Sequence, residues 1–157
     1  MTDPRPRYVE RMGSALADAG LQRLPSRVFA ALTVDEDGRM TSAELVEALG
    51  VSPASVSGAV RYLSQIGFLH RERERGSRRD VYVVDDDAWL QAMLREEQVY
   101  APMIAALDDA LRGLDTGSRA GRRLLLMREF LVFVGEQMEG IADRWLARRA
   151  EIERGLG

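Results

Sequence analysis

Apolar residues recur every three or four positions in six segments of the chain, and this spacing predicts a mainly helical protein. The six predicted helices begin near Pro6, Pro25, Thr41, Pro53, Asp87 and Ser118. Between the fourth and fifth helices, two stretches, Phe68–Glu74 and Asp80–Val84, flank a turn at Gly76-Ser77 and predict strands. The pattern therefore predicts a helical protein that carries one small β-hairpin.

The third and fourth helices form a pair joined by a tight turn. Thr41 can cap the first of them, while Glu44, three residues later, reaches back to complete a capping box. Gly50 suits the left-handed position that ends a helix, and Ser52 followed by Pro53 supplies a cap and a first residue for the next one. Two helices that meet across about three residues have the spacing of a helix-turn-helix.

The helix that follows Ser52 has two different sides. Val56, Val60 and Leu63 recur at helical spacing and predict one buried side. The opposite side carries small or hydrogen-bonding residues: Ser55, Ser57, Gly58, Arg61 and Gln65. Small side chains let a helix approach the major groove of DNA, and the planar fork of arginine can bind guanine. The alternative interpretation is an ordinary solvated helix face.

The predicted hairpin is rich in arginine. Five arginines lie on it or at its tip: Arg71, Arg73, Arg75, Arg78 and Arg79. A hairpin with an arginine tip can enter a narrow minor groove, where the negative potential of DNA is concentrated. The hairpin therefore favours the DNA-binding interpretation of the neighbouring helix.

The net charge of −3 is unusual for a DNA-binding protein, but the charge is unevenly distributed. Residues 51–84 contain six arginines and three acids, a balance of +3. Residues 85–115 contain eight acids and two arginines, a balance of −6. Because affinity for DNA depends on the local patch, the overall acidity does not exclude DNA binding.

The composition argues against an enzyme and against a metal site. The chain has no cysteine, a single histidine at His70 and no lysine, so all 22 basic residues are arginine. This set cannot supply the usual nucleophile–base pairs, thiolate sites or Schiff-base chemistry. The run Asp85-Asp86-Asp87 fits a helix N-terminus better than a metal site, since adjacent helical residues do not face one point. We predict no cofactor, no export signal, no membrane association and a cytoplasmic location.

Two long helices follow the hairpin. The first is predicted from about Asp87 to Leu114, and Pro102 must either kink it or break it. The second is predicted from Ser118 or Arg122 to Glu153 and has apolar residues on more than one side. These residues are interpreted as core and homodimer interface. The alternative is that some of them line a pocket for a hydrophobic effector.

The pattern ELxEALGVSxxSVSxxxRxLxxxGFLxR followed by GxRRxxYxV, which spans Glu44–Val84, resembles the MarR superfamily of bacterial repressors and its GbsR-like branch. The run RRLLLMREFLVF with a later RW is also similar to the C-terminal helix of that branch. The resemblance implies a mainly α fold with a small β-wing (α+β), in which a winged helix-turn-helix hangs from an all-helical dimerisation lobe. Residues 1–20 and 85–157 would form the lobe, and residues 21–84 would form the DNA-binding domain.

The resemblance implies a homodimer on a pseudo-palindromic operator in double-stranded DNA, released by a small lipophilic effector. The predicted DNA contacts are Thr41, Ser52, Pro53, Ser55, Ser57, Arg61, Arg75, Ser77, Arg78 and Arg79. The candidate effector contacts, chosen by size and position, are Met93, Tyr100, Phe130, Phe133 and Met138. MarR wings often carry Asp two residues before the minor-groove arginine, whereas this chain has Ser77 before Arg79. The alternative function is a protein-docking or architectural winged helix that does not bind an operator.

Overall fold

Helices account for most of the structure, a computed structural model that describes residues 3–74, 76–93 and 96–156 without the side chains of residues 93 and 96–98. The elements, in chain order, are α1 Arg5–Asp18, α2 Arg23–Val34, β1 Arg39–Thr41, α3 Ser42–Leu49, α4 Pro53–Ile66, β2 His70–Arg73, β3 Asp80–Val83, α5 Ala88–Met93, α6 Glu96–Gly113, α7 Arg119–Met138 and α8 Ile141–Leu156. They form two compact units, Met1–Ala92 and Met93–Gly157. The predicted fold class, mainly α with a small β-wing, is confirmed.

The core of the first unit lies between α1, α2, α3 and α4. Val28, Phe29 and Leu32 of α2 are completely buried, and so are Leu45 and Leu63. Each such side chain contributes about 1.5–3 kcal/mol by leaving water. In α1, Val9 and Leu16 are buried, while Ala19, the C-terminal cap, is exposed.

The turn between α3 and α4 has the predicted caps. The Thr41 hydroxyl accepts the Glu44 N–H, and the Glu44 carboxylate accepts the Thr41 N–H, so the capping box is complete. Gly50 ends α3 with φ of 64°, a left-handed conformation that side chains rarely adopt. The Ser52 hydroxyl then caps α4 by accepting the Ser55 N–H. These local contacts therefore set where α3 ends and α4 begins.

The sheet has three antiparallel strands in the order β1-β3-β2, whereas the sequence predicted two. The missed strand, β1, pairs with β3 at Arg39↔Val83, Met40↔Tyr82 and Thr41↔Val81. It is only three residues long, too short for an alternating pattern to be visible. The predicted strand Phe68–Glu74 was also too long, since β2 covers His70–Arg73.

Three aromatic rings join α5 to the core of the first unit. The ring centroid of Phe29 lies 4.9 Å from that of Phe68 and 5.2 Å from that of Trp89. The rings of Phe68 and Trp89 are 5.6 Å apart, and all three pairs meet edge to face. This geometry is the favourable one for aromatic rings, so it fixes the start of α5 on the first unit.

The second unit contains α6, α7 and α8. Helix α6 runs through Pro102 without ending, so the predicted alternative of a break at Pro102 is wrong. The single helix predicted from Ser118 or Arg122 to Glu153 is also wrong, because the chain turns at Gly140 and forms α7 and α8. Gly140 has φ of 72°, a conformation outside the α-helix that periodicity does not reveal.

Helices α6 and α7 pack against each other, and the Arg128 Nε atom lies 2.6 Å from the Asp108 Oδ1 atom. Few side chains of this unit are buried: Leu107 and Leu131 are the buried large apolar residues among those described in it. Helix α8 has no buried residue. In the described parts of the chain, no helix combines the length and apolarity that crossing a membrane requires.

Candidate nucleic-acid interface

The exposed side of α4 carries the predicted major-groove residues. Val56, Ala59, Val60 and Leu63 are buried, which leaves the other side of the helix open to solvent. The predicted contacts on that side are all exposed: Ser52, Pro53, Ser55, Ser57 and Arg61. A helix with small polar residues and one arginine on its free side can lie in a major groove.

The N-terminus of α4 carries two exposed hydroxyls, those of Ser52 and Ser55. The Ser52 hydroxyl caps the helix, and its Oγ lies 2.8 Å from the Ser55 Oγ. Exposed hydroxyls and backbone N–H groups at a helix start suit a phosphate oxygen. Thr41 differs, because its hydroxyl also donates to the Glu44 carboxylate at 2.8 Å and is half-buried. Its hydroxyl is therefore engaged in capping α3.

The turn of the wing is closed by hydrogen bonds around Gly76. The Glu74 N–H donates to the Arg79 carbonyl and the Ser77 N–H to the Glu74 carbonyl, both at 3.1 Å. The Ser77 hydroxyl accepts the Arg79 N–H at 3.1 Å. Serine thus keeps an acceptor at the position where MarR wings often carry aspartate. Arg75, a predicted contact, lies outside the described residues.

Pairing with acids divides the arginines of this surface into two groups. Arg71 lies 3.3 Å from Asp80, and Arg39 lies 3.1 Å from Glu72. Within residues 3–74 and 76–93, Arg61, Arg73, Arg78 and Arg79 form no ion pair and are exposed. Arginines without a carboxylate partner can bind phosphate at the lowest cost. Arg73 was seen as part of the arginine cluster but was not predicted as a site residue.

Two carboxylates beside this surface have lowered pKa values. The pKa of Glu44 lies below its usual range mainly because the Thr41 N–H donates to it at 2.6 Å, and the Arg79 guanidinium lowers it further. The pKa of Glu72 is lowered mainly by its hydrogen bond with His70 and also by Arg39. Arg79 of the wing therefore helps to keep Glu44, in the first turn of α3, ionised.

A polar network at the base of the wing was missed by the sequence analysis. The Nε2 atom of His70 lies 3.1 Å from Glu72, and its Nδ1 atom lies 3.2 Å from Asp85. Arg39 of β1 binds the other oxygen of Glu72. Sequence distance hid the network, because β1 was not predicted and Arg39 is 33 residues from Glu72. The network ties β1 and β2 to the segment before α5.

The predicted effector contacts lie in the second unit or at the end of α5. Phe130 and Phe133 are exposed, while Tyr100 and Met138 are half-buried. The side chain of Met93 lies outside the described residues. Among the described residues, no three histidine, aspartate or glutamate side chains are grouped as metal ligands would be.

A capped helix pair with a free polar face, followed by an arginine-bearing hairpin, defines a winged-helix DNA-binding protein. Residues 19–80 match the model of the MarR family, and residues 87–149 match the model described as MmpR5-like MarR family transcriptional regulator. The two matches together span both units of the chain.

Two known proteins are similar over nearly the whole chain. The HTH-type transcriptional regulator MmpR5 of Mycobacterium tuberculosis (strain ATCC 25618 / H37Rv) is 30% identical over 145 residues, which cover 92% of this chain and 88% of MmpR5. A crystal structure of a transcriptional regulator is 29% identical with a TM-score of 0.77, covering 95% of this chain and 99% of that one. The chain belongs to the MarR family and is a DNA-binding transcriptional regulator.

Proposed function

We propose that this regulator is a homodimeric repressor that binds a pseudo-palindromic operator and is released by a small hydrophobic effector. The observation that carries the proposal is the set of exposed arginines on α4 and the wing that form no ion pair among the described residues: Arg61, Arg73, Arg78 and Arg79. Exposed arginines that can bind phosphate favour operator binding over the competing interpretation, a protein-docking or architectural module. No catalytic step is part of the proposal.

The exposed apolar residues of the second unit support the homodimer. Leu126, Phe130 and Phe133 recur at i, i+4 and i+7 on α7, and their exposed fractions are 59%, 62% and 56%. Leu146 of α8 is also half exposed, and α8 buries none of its residues. A stripe of this size is costly to leave in water, and a second copy of the chain is the simplest cover.

In this proposal, residues 1–20 and 85–157 form the dimerisation lobe and residues 21–84 bind DNA. Helix α1 also packs on α2, with Arg27 and Glu10 2.6 Å apart, so α1 would contact both parts. A two-fold axis places the two α4 helices about one turn of DNA apart. The operator half-sites should therefore lie ~10 bp apart, centre to centre.

The effector is proposed from the resemblance to the family. A lipophilic molecule between lobe and winged module would hold the two modules at a spacing that no longer matches the operator. To shift the equilibrium by a few kilocalories, it must bind the non-operator geometry ~100-fold better. Phe130 and Phe133 are more easily explained as dimer contacts, since both lie on the exposed stripe of α7.

The wing is tested by the salt dependence of DNA binding. Affinity for the DNA upstream of the regulator's own gene is measured by fluorescence anisotropy at several salt concentrations. Arg79→Ala should reduce the slope of log K against log salt by about two, one phosphate contact for each protomer. Arg11→Ala, an exposed arginine on α1, is the control and should leave the slope unchanged. An unaltered slope for Arg79→Ala would remove this residue from the interface.

The role of α4 is tested by comparing the operator with random DNA. Arg61→Ala should cost about 1–3 kcal/mol at each half-site of the operator and much less on random DNA, if Arg61 reads a base. Equal losses on both would make Arg61 a phosphate contact. If the wild-type protein does not bind the upstream DNA, the docking or architectural alternative gains support.

A further inference from the structure

A cleft of about 330 Å³ opens between α1, α2, α3 and β1 in the first unit. Its walls are apolar and include Val9, Val34, Met40 and Leu49. This volume lies at the lower end of the range for small-molecule sites, which are mostly apolar with a few placed polar groups. The predicted effector contacts, on the end of α5 and in the second unit, are not among its lining residues.

The rim of the cleft is negatively charged. Asp3, Glu10 and Asp35 line it together with one cation, Arg5. The Arg5 charge is already offset, because its Nη2 atom lies 3.5 Å from Glu36 and its Nε atom 4.0 Å from Asp3. Glu36 pairs with Arg5, and Arg27 pairs with Glu10. With these two included, the rim has four carboxylates and two guanidinium groups. The rim therefore favours a positively charged ligand.

Only one oxygen of the Asp35 carboxylate accepts hydrogen bonds from the described residues. Its Oδ1 atom accepts the N–H groups of Asp37 at 3.1 Å and Arg39 at 3.2 Å. Its Oδ2 atom has no hydrogen-bond or ion-pair partner within the described part of the chain, and the residue is half-buried. A half-buried carboxylate held by its first oxygen is a ready counter-ion for an ammonium group at the second.

We propose that this cleft binds a small amphiphilic cation, with its apolar body against Val9, Val34 and Met40 and its ammonium group on Asp35. The shape supplies the apolar contact and the rim supplies the preference for positive charge. The site uses residues of the first unit alone. The cleft lies between α1, which the proposed repressor assigns to its lobe, and residues 31–49 of the winged module, so it is also a candidate position for the effector. Probe binding is measured without DNA, so this proposal can fail while operator binding holds, and the reverse.

Three probes that share one carbon skeleton test the charge preference: 3-phenylpropylammonium, 3-phenylpropanol and 3-phenylpropionate. Binding to the full chain is measured by isothermal titration calorimetry and mapped by NMR chemical shifts. With so few atoms, the cation should bind with Kd on the order of millimolar. It should bind about fivefold more tightly than the alcohol, because one partly exposed ion pair adds little, and the propionate should bind least.

Two matched pairs of variants locate the site. Asp35→Asn keeps the acceptor for the two N–H groups but removes the charge, so the cation should lose its advantage over the alcohol. Asp37→Asn, in the same turn but outside the lining, should keep it. Ala48→Phe fills the cleft from α3 and should weaken all binding about tenfold or more. Ala43→Phe, exposed on the same helix, should not.

The proposal is overturned if the three probes bind equally. It is overturned too if no binding is detected at a probe concentration on the order of 10 mM, ten times the expected Kd. It is also overturned if Ala48→Phe, shown to be folded by circular dichroism, binds like the wild type. Should that variant not fold, the wild-type shift map decides: perturbed amides at Val9, Val34 and Met40 support the cleft, and perturbations confined elsewhere contradict it.

Discussion

The two units of the chain bury their apolar residues to different extents. Met1–Ala92 contains a closed core in which Val28, Phe29 and Leu32 have no exposed surface. In Met93–Gly157, α7 exposes more than half of Phe130 and of Phe133. Both units contain long helices, so helix formation is not the difference. The difference is whether the apolar side of each helix has a partner within the same chain.

This contrast separates two kinds of stability. The first unit is stabilised by contacts that one chain makes with itself, so its free energy of unfolding should be independent of protein concentration. The second unit leaves apolar surface to be covered by another molecule, and its stability should rise with protein concentration. Variants that remove the same chemical group from each unit can test this distinction.

The largest effect is expected from removing a buried ring of the first unit. Phe29→Ala should lower the free energy of unfolding by about 3–5 kcal/mol, because it leaves a cavity and removes two edge-to-face partners. Phe133→Ala in the second unit should cost about 1 kcal/mol or less in dilute solution. Urea unfolding measures the difference, followed by the fluorescence of Trp89 for Phe29→Ala and by the fluorescence of Trp145 for Phe133→Ala, each in a background that lacks the other tryptophan. Similar losses would contradict the contrast.

Next in size is the effect of a charge on the exposed stripe of α7. Phe130→Glu should raise the dimer dissociation constant about 30-fold or more, which corresponds to about 2 kcal/mol for a central interface residue. Analytical ultracentrifugation measures this change. Gln137→Glu adds the same charge at a position of α7 that is already polar and exposed, and it should leave assembly intact. A monomeric wild-type protein would exclude the homodimer.

A smaller effect is expected at the helix caps, one in each unit. The hydroxyls of Thr41 and Ser118 accept the N–H groups of Glu44 and Gly121 at 3.3 and 3.0 Å. Thr41→Ala and Ser118→Ala should each cost about 1 kcal/mol. Thermal unfolding at two protein concentrations separates them: Thr41→Ala should lower the transition that does not move with concentration, and Ser118→Ala should lower the one that does. If both transitions move equally, the units are not independent.

The smallest effect is the pH dependence of the Glu44 contact. Because the folded state lowers the pKa of Glu44 below 4.5, its contribution is fully present above that pH and is lost as the pH falls through the lowered pKa. Glu44→Gln should therefore cost about 0.5 kcal/mol at pH 7 and progressively less as the pH falls below 4.5. Glu47→Gln, an exposed glutamate on the same helix, is the control. A cost that is independent of pH would exclude a role for the charge.

The helix-turn-helix could be predicted residue by residue because its signals are local. A capping box, a left-handed glycine and a Ser-Pro start each depend on contacts within four residues. Strand β1 could not be predicted, since it exists only through pairing with β3 some 40 residues away. The turn at Gly140 was missed for another reason: apolar periodicity continues across it. DNA contacts were chosen by residue type, whereas the ion pairs that occupy Arg71 and Arg39 required coordinates.

The edge-to-face cluster of Phe29, Phe68 and Trp89 has a mechanical consequence. The polypeptide leaves the first unit through α5. There the ring of Trp89 packs edge to face on Phe29, which has no exposed surface. A rotation of α5 about its axis therefore changes the packing of Trp89 against Phe29 of α2. Trp89 therefore couples a rotation of α5 to the core, and its fluorescence should report that movement.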